Sequence, residues 1–195
     1  MPIRLAVFLG NPGIEYRSTR HNAGWMIAAA LPAIESVGWT SKFKGTTAQY
    51  DALSGDSRNR VVLLLPATFM NLSGESVQPA MTFYKLQPEE LVIVHDEIEL
   101  PFGTMEIRKG GGLGGHNGLR SISAALGTNE YWRCRIGVGR PSRPDVASYV
   151  LSRFSQDEEP LLPLYSREAA SRLLAALCAP RQPSPFRPTA IIQTI

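Results

Sequence analysis

The chain has 195 residues, with 20 Lys and Arg against 17 Asp and Glu for a formal charge of +3, and 44% of its residues are hydrophobic. This composition predicts one globular domain and excludes a disordered, fibrous or disulfide-stapled chain. The apolar runs are far shorter than the ~18 to 20 residues of a membrane-spanning helix, so no membrane association is expected. Because no secretory signal pattern follows Met1, we expect a cytoplasmic protein whose Cys134 and Cys178 are reduced thiols.

Basic and acidic residues are unevenly distributed along the chain. Residues 61–107 contain seven acidic and one basic side chain, whereas residues 108–153 contain two acidic and eight basic ones. A basic block can mark a surface for a polyanion, but it can equally consist of scattered, solvated residues. Both interpretations stay open, because order along the chain does not fix where charges lie in space.

The first half of the chain predicts three buried strands and two helices. Residues 3–9 are an apolar run that ends in Gly-Asn-Pro-Gly, which indicates a strand that delivers Asn11 to a sheet edge. Apolar residues recur at helical spacing over 22–37, with Pro32 as a break. Continuous apolar runs at 61–65 and 91–94 predict central strands, and a helix is expected between them at 73–84.

The second half adds two strands, a Gly-rich loop and two helices. Alternation predicts strands over 104–108 and 132–138, the second with Cys134 in the core and two arginines on the other side. The loop at 109–118 runs into a helix over 119–126, where we expect free backbone N–H donors. A last helix is predicted over 164–177, and the Pro- and Ser-rich residues 179–195 are expected to form a flexible tail.

This order of elements predicts a single three-layer α/β/α domain over residues 1–178, with a mixed, largely parallel central sheet. In such sheets, ligands bind beyond the carboxyl ends of the strands. The three buried strands of the first half are followed by Asn11, by Met70 with Asn71, and by His95 with Asp96. We therefore expect these polar side chains to meet at one edge of the sheet.

His21 and Asp96 are the first candidates for acid–base chemistry. His21 opens a helix after the first strand, and a carboxylate that orients an imidazole is the usual way to make a general base. From position alone, Asp96 fits a helix cap or an ion pair in a turn at least as well. Met70 has the same ambiguity, because a buried Met is commonly a simple core residue.

The Gly-rich loop predicts no specific ligand by itself. Gly110, Gly112 and Gly115 match GxGxxG, but the acidic partner expected ~20 residues later falls near Arg135. His116 stands where a phosphate-binding loop needs Lys. Backbone contact with some other ligand stays open, as does a plain flexible turn.

The sequence contains no recognisable motif for a metal site or for a covalent nucleophile. There is no His-Glu-x-x-His, and His95-Asp96-Glu97 lacks the spacing that gathers three ligands, so we predict no metal and no cofactor. A GxSxG nucleophile elbow is also missing.

Several longer motifs resemble bacterial peptidyl-tRNA hydrolase. They are Gly10-Asn-Pro-Gly-Ile-Glu-Tyr-Arg-Ser-Thr-Arg-His-Asn-Ala-Gly24, Phe69-Met-Asn-Leu-Ser-Gly74, His95-Asp96-Glu97 and Gly114-Gly-His-Asn-Gly118, in family-like order and spacing between residue 3 and about residue 153. The resemblance implies an enzyme that cleaves the ester joining a peptide to the terminal ribose of tRNA. It implies a monomer without an obligatory protein partner, which recognises the acceptor end and the attached peptide.

The resemblance also implies roles for individual residues. His21 would be the catalytic base and Asp96 its orienting carboxylate, with catalysis supported by Asn11. The residues expected to bind the substrate and the tRNA are Tyr16, Met70, Asn71, His116, Asn117, Arg108 and Arg135. Asn11, Asn71 and Asn117 would hold the peptide end and the attacking water, and the two arginines would bind a tRNA phosphate.

Two other functions remain in competition at this point. One is a non-catalytic RNA-binding protein of the same fold, for which the arginines would matter and His21 would not. The other is a nucleotide-binding protein that uses the Gly-rich loop.

Overall fold

The structure, a computed structural model, describes residues 2–54, 56–141 and 145–179, together with the backbone of residues 186–190. Within these residues, eight strands form one mixed sheet in the order β2-β3-β4-β1-β5-β7-β6-β8. The strands are β1 (Leu5–Phe8), β2 (Thr40–Lys42), β3 (Gly45–Ser54), β4 (Ser57–Pro66), β5 (Leu91–Glu97), β6 (Thr104–Lys109), β7 (Trp132–Gly137) and β8 (Phe186–Ala190). The helices are α1 (Ala23–Ala29), α2 (Gly74–Tyr84), α3 (Asn117–Leu126), α4 (Val146–Val150) and α5 (Leu162–Leu177).

The centre of the sheet is parallel and its flanks are antiparallel. β4, β1, β5 and β7 pair side by side in parallel. Antiparallel pairs extend the sheet through β3 and β2 on one flank and through β6 and β8 on the other. The predicted α/β class, with a mixed sheet and a largely parallel centre, is confirmed.

Helices cover both faces of the sheet. Successive residues of a strand point to opposite faces, so Ala6 and Phe8 of β1 pack in the core beneath α1 and α5. Leu5 and Val7 pack in a second core beneath α2 and α3. The continuous apolar runs that predicted buried strands are therefore explained by two cores, one on each side of the sheet.

Some elements differ from the sequence-based expectation. The hairpin of β2 and β3 was not predicted, although buried Ala48, Tyr50 and Ala52 alternate with exposed polar residues in β3. The short helix α4 was also not predicted. β5 extends through Glu97 instead of ending at residue 94, so His95 and Asp96 lie within the strand.

The chain end also differs from the expected tail. The backbone of residues 186–190 pairs antiparallel with β6, which satisfies the open edge of that strand without needing an apolar sequence pattern. Residues 180–185 and 191–195 lie outside the described part of the chain, and there the tail stays a prediction. Among the described helices, none has the length and apolar character needed to cross a membrane.

Gly24 sets how closely α1 approaches the sheet. A Cβ atom at this position would lie 2.5 Å from the carbonyl oxygen of Leu9 and 2.6 Å from that of Val94. Only a residue without a side chain lets the first turn of α1 rest on the carboxyl ends of β1 and β5. This contact fixes the position of His21 and Asn22, which immediately precede α1.

We expect Gly24→Ala to destabilise the protein by about 3 kcal/mol, because the added methyl group meets backbone atoms that cannot move independently. The measurement is the free energy of unfolding from urea titration. Gly38→Ala is the matched control, since its Cβ would meet nothing within 4 Å, and it should change stability by less than about 0.5 kcal/mol. Equal effects of the two variants would contradict the packing argument.

Candidate active site

The two residues predicted as base and orienting acid are in direct contact. His21 lies in a short 3-10 helix, Arg20–Asn22, that follows the β1 loop, and Asp96 lies near the carboxyl end of β5. Nδ1 of His21 is 2.9 Å from Oδ1 of Asp96, and both side chains are buried. The fold thus joins two residues that are 75 positions apart in the sequence.

His116 binds the same carboxylate oxygen. Its Nε2 lies 3.0 Å from Oδ1 of Asp96, while its Nδ1 accepts hydrogen bonds from the backbone N–H groups of Gly118 and Leu119, at 3.1 and 3.4 Å. A ring nitrogen that accepts cannot carry hydrogen, so the proton of His116 is on Nε2 and the ring is neutral. Asp96 Oδ1 therefore accepts from two imidazoles.

The same reasoning assigns the tautomer of His21. Because Asp96 is an acceptor, Nδ1 of His21 carries the hydrogen, and Nε2 of the neutral ring keeps its lone pair. His21, Asp96 and His116 all line a cleft of about 510 Å³. The other walls of the cleft are formed by β5 residues beyond Asp96, the Gly-rich loop, the start of α3 and one face of α4. The arrangement can accept a proton from a molecule bound in the cleft.

Burial and charge act in opposite directions on this pair. Burial alone would lower the pKa of His21, but the charge and hydrogen bond of Asp96 raise it above its ordinary value near 6.5. For Asp96, burial acts to raise the pKa, yet the electrostatic attraction and the hydrogen bonds of the two imidazoles, His21 and His116, hold it well below the usual range. Asp96 is therefore a carboxylate at any physiological pH.

His95 supports the backbone at Asp96 and was not singled out by the sequence. It is almost fully buried, and its Nδ1 donates to the carbonyl oxygen of Asp96 at 2.7 Å. Burial is the main cause that places the pKa of His95 well below its ordinary value. This third imidazole is thus neutral and fixes the main chain that carries the shared carboxylate.

Asn11 is held through both its backbone N–H and its backbone carbonyl. Asn22, which is fully buried, accepts from the backbone N–H of Asn11 at 2.9 Å and donates to its carbonyl oxygen at 3.0 Å. The side-chain Oδ1 of Asn11 accepts from the N–H of Met70 at 2.7 Å. This contact orients the amide and leaves the Nδ2 donor of Asn11 for another partner. The supporting role of Asn22 was missed, although it follows His21 in the sequence.

The remaining substrate-binding candidates lie around this core. Met70 is buried among the apolar residues beneath α2 and α3, and its Sδ packs directly on Gly118 at the start of α3. Asn71 and Asn117 are both exposed, and Asn117 lines the cleft. Tyr16 is half-buried, with its ring edge-on to exposed Phe69 at 6.4 Å between centroids. Met70 thus serves packing, whereas the two asparagines present open amides.

Arg135 is not a free cation. Its Nε donates to Oε2 of Glu97 at 2.8 Å, and its Nη1 donates to Oε2 of Glu106. Burial opposes the charge, but these two carboxylates raise the pKa of Arg135 above its ordinary value. The structure thus places Arg135 beside the site as a partner of Glu97, and its role in binding phosphate stays a prediction.

Other residues of the basic block are neutralised in the same way. Arg140 pairs with Glu99 at 2.9 Å, and Lys109 pairs with Glu89 at 3.4 Å. These carboxylates come from the acidic block that precedes the basic one in sequence. Three of the eight basic side chains of the block are therefore neutralised by acidic residues that precede them in the sequence.

Arg108 and Arg133 face each other across β6 and β7. Among the described residues, neither has an ion pair with a carboxylate. Arg133 is buried and donates to the carbonyl oxygens of Gly111 and Gly112, both at 2.7 Å. Burial and the charges of Arg108 and Arg135 lower the pKa of Arg133. The unbalanced positive charge of this region is at Arg108 and Arg133, and sequence analysis did not select Arg133.

These contacts also correct the expectation for the Gly-rich loop. The N–H groups of Gly118 and Leu119 at the start of α3 already donate to His116 and are not free. The carbonyls of Gly111 and Gly112 face a guanidinium, an orientation opposite to the N–H cradle that phosphate requires. The conformation of the loop thus does not favour the nucleotide-binding alternative.

His21, Asp96 and His116 also form a cluster that a metal could use, which the spacing of the sequence did not reveal. One ligand atom from each lies within 4.8 Å of the others. A metal ligand must present a lone pair, but Nε2 of His116 carries the hydrogen that it donates to Asp96. The hydrogen bonds fit a proton-sharing cluster better than a cation site.

Arg20 connects the site to the last part of the chain. This buried guanidinium donates to Oε2 of Glu158 at 2.6 Å, to Oγ of Ser152 at 3.0 Å and to the carbonyl oxygen of Arg153. It also lies over the ring of Tyr149 in α4, with the guanidinium carbon 4.3 Å from the ring centroid. His21 therefore belongs to a segment that is tied to the α4 wall of the cleft.

Comparison with known proteins identifies the family. The sequence profile described as peptidyl-tRNA hydrolase matches residues 5–182. The chain is 48% identical over 169 residues to the peptidyl-tRNA hydrolase of Treponema pallidum (strain Nichols), covering 86% of this chain and 83% of that protein. It is 47% identical over 161 residues to that of Citrifermentans bemidjiense, with 81% and 82% covered.

Solved structures agree with the sequence relatives. The crystal structure of peptidyl-tRNA hydrolase from Acinetobacter baumannii superposes with a TM-score of 0.78 at 37% identity, covering 90% of this chain and 88% of that one. The Arg119Gln mutant from the same organism gives a TM-score of 0.72 at 34% identity, covering 94% and 97%.

The α/β fold, with its histidine–carboxylate cluster in a cleft at the carboxyl ends of the strands, defines an enzyme of the hydrolase class. The chain belongs to the peptidyl-tRNA hydrolase family.

We expect Arg20→Met to lower the free energy of unfolding by about 3 kcal/mol, because it leaves the Glu158 carboxylate and a backbone carbonyl without their donor. Urea titration monitored by tryptophan fluorescence measures the change. Arg17→Met, in the same loop but exposed, should stay within about 0.5 kcal/mol of the parent. A similar loss in both variants would rule out the network as the cause.

Proposed function

We propose that this enzyme hydrolyses the ester bond between the peptide and the tRNA of peptidyl-tRNA, with His21 as the general base. The observation that carries the proposal is the contact between His21 and the buried carboxylate of Asp96, in a cleft whose lining includes the amide side chain of Asn117. Membership of the family, and the names of its relatives, support the class of substrate.

The first chemical step is attack by water. Nε2 of His21 accepts a proton from a water molecule in the cleft, and the oxygen of that water adds to the carbonyl carbon of the ester. Asp96 keeps the ring in the tautomer with Nδ1–H and stabilises the imidazolium that forms. General base catalysis of this kind contributes ~10² to 10⁴-fold in rate.

Asn11 stabilises the charge that develops on the carbonyl oxygen. Its amide is oriented by the N–H of Met70 and its backbone is fixed by Asn22, so the Nδ2 donor is preorganised. A single such donor can contribute about 3 kcal/mol to transition-state stabilisation. Asn71 and Asn117, exposed beside the cleft, bind the peptide carbonyl and N–H groups.

The tetrahedral intermediate then collapses. The bond between the carbonyl carbon and the ribose oxygen breaks, and the imidazolium of His21 returns its proton to that oxygen. The products are a tRNA with its terminal hydroxyl and a peptide with a carboxylic acid, which releases its proton to solvent and becomes a carboxylate. An ester is already activated, so this route uses neither a covalent intermediate nor a second acid.

Neutral amides favour a substrate whose amino group is blocked. A peptide bond offers a donor and an acceptor to Asn71 and Asn117. The ammonium group of a free aminoacyl ester has only donors and a positive charge, which neutral amides do not balance. On this account, the enzyme cleaves peptidyl-tRNA and spares aminoacyl-tRNA. Arg108 lies on the same face of the β6–β7 pair as Arg135, and it supplies the cationic contact to a tRNA phosphate.

His21→Ala should lower turnover of an N-acetyl-aminoacyl-tRNA by at least ~100-fold while leaving tRNA binding near that of the parent, because only the proton acceptor is removed. Release of the blocked amino acid measures turnover, and filter binding measures affinity. If the parent protein binds this substrate but releases nothing, the non-catalytic RNA-binding alternative is correct. Retained turnover in the variant would reject His21 as the base.

The dependence of kcat/KM on pH should rise through one ionisation whose midpoint is above 6.5, because only the neutral ring accepts a proton and Asp96 raises the pKa of His21. In Asp96→Asn the negative charge is lost while burial remains, so the midpoint should move to lower pH. The plateau should also fall by roughly 100-fold or more, since an amide does not enforce the tautomer. A midpoint that stays in place would disprove the role of Asp96.

Arg108→Gln should weaken binding of peptidyl-tRNA and reduce the slope of log Kd against log salt by about 1, the value for one lost phosphate contact. Turnover at saturating substrate should not change. Arg60→Gln removes the same charge from an exposed residue near the amino end of β4, away from the cleft, and should leave the slope unaltered. Identical slopes for both variants would show that Arg108 does not contact phosphate.

A further inference from the structure

We propose that His116 is a positioning residue, which limits the action of Asp96 on His21 by donating a second, permanent hydrogen bond to the same carboxylate oxygen. The inference rests on the proposed function of His21 as general base, and it assigns His116 a role different from lining the cleft.

The geometry at Asp96 carries the argument. Nδ1 of His21 and Nε2 of His116 are almost equally distant from Oδ1, at 2.9 and 3.0 Å. An oxygen that already accepts one hydrogen bond has less negative charge to offer a second donor. The hydrogen bond from His116 therefore weakens the stabilisation that Asp96 gives to protonated His21.

The start of α3 makes this hydrogen bond permanent. Backbone N–H groups of Gly118 and Leu119 both point at Nδ1 of His116, so the ring cannot exchange tautomers and withdraw its Nε2 hydrogen. The His116 side chain is only 8% exposed, which limits the access of water to the contact. Helix α3 thus fixes a neutral donor beside the carboxylate.

The other charged side chains near His21 are paired with groups of opposite charge. At the end of β5 Glu97 is paired with Arg135, and in the following turn Glu99 is paired with Arg140. Arg20, the neighbour of His21, is directed to Glu158, and neutral His95 lies behind Asp96. Within the described residues, the Asp96 carboxylate is thus the charged group that forms a hydrogen bond with His21, and His116 shares it.

Sharing of the carboxylate increases the fraction of enzyme in which His21 is neutral at a given pH. A buried carboxylate that served His21 alone would keep the imidazole protonated to higher pH, and a protonated ring is not a base. By sharing Oδ1, His116 lowers the pH at which His21 becomes neutral. The site retains an oriented base without a permanently charged one.

Two substitutions distinguish the acceptor at Nδ1 of His116 from the donor at Nε2. His116→Asn keeps an acceptor near the Nδ1 position, which preserves the cap of α3, but its short amide does not reach Asp96. His116→Gln places an N–H donor near the Nε2 position and restores the hydrogen bond to the carboxylate. Comparison of the two therefore tests the donor and not the volume of the ring.

The test is an NMR pH titration of His21 in protein with ¹³C-labelled histidine, with its signal assigned from the spectrum of His21→Ala. In His116→Asn we expect the pKa of His21 to rise by ~0.5 to 1 unit, and in His116→Gln we expect it to return most of the way to the parent value. The midpoint of kcat/KM against pH should move in parallel.

An unchanged or lowered pKa of His21 in His116→Asn would overturn the proposal. So would an equal rise in both variants, because the hydrogen bond would then not be the cause. The NMR result does not depend on turnover. If the pKa moves as expected but the parent protein hydrolyses no peptidyl-tRNA, the proposed function fails and the charge sharing stands.

Discussion

The structure depends on one buried carboxylate oxygen that accepts hydrogen bonds from two imidazoles. An unpaired charge in a protein interior is too costly to persist, so Asp96 must be compensated by donors that the fold holds in place. His21 comes from the loop after β1, His116 from the cap of α3, and Asp96 itself from the central strand β5. Three separate elements therefore need correct packing before the site can exist.

That packing follows from the topology of the sheet. The parallel strands β1, β4 and β5 end at one edge, which places Asn11, Met70 and Asp96 together there. Gly24 lets α1 rest on this edge, and the Arg20 network attaches the segment that carries His21 to the wall formed by α4. The positions of His21 and of the Asn11 amide are thus set by contacts within this frame.

Much of the fold could be predicted because it depends on local patterns, and the contact between His21 and Asp96 was expected from the resemblance of longer motifs. Uninterrupted apolar runs indicated β1, β4 and β5, and the polar residues after them indicated the site. The features that could not be predicted are those that depend on contacts between distant parts of the chain. The sequence left open whether the basic block forms a polyanion surface, and it gave no sign that Arg135, Arg140 and Lys109 are paired with carboxylates from the preceding acidic block. Spacing along the chain likewise gave no sign that His116 shares Asp96.

Hydrolysis by the protein after exhaustive treatment with EDTA tests the central claim most directly, with N-acetyl-aminoacyl-tRNA as substrate and free aminoacyl-tRNA as control. If the cluster of His21, Asp96 and His116 activates water by proton transfer alone, the blocked substrate is cleaved at an unchanged rate and the free one is spared. Loss of the activity in EDTA and its recovery with a divalent cation would contradict the account, since the cluster would then hold a metal.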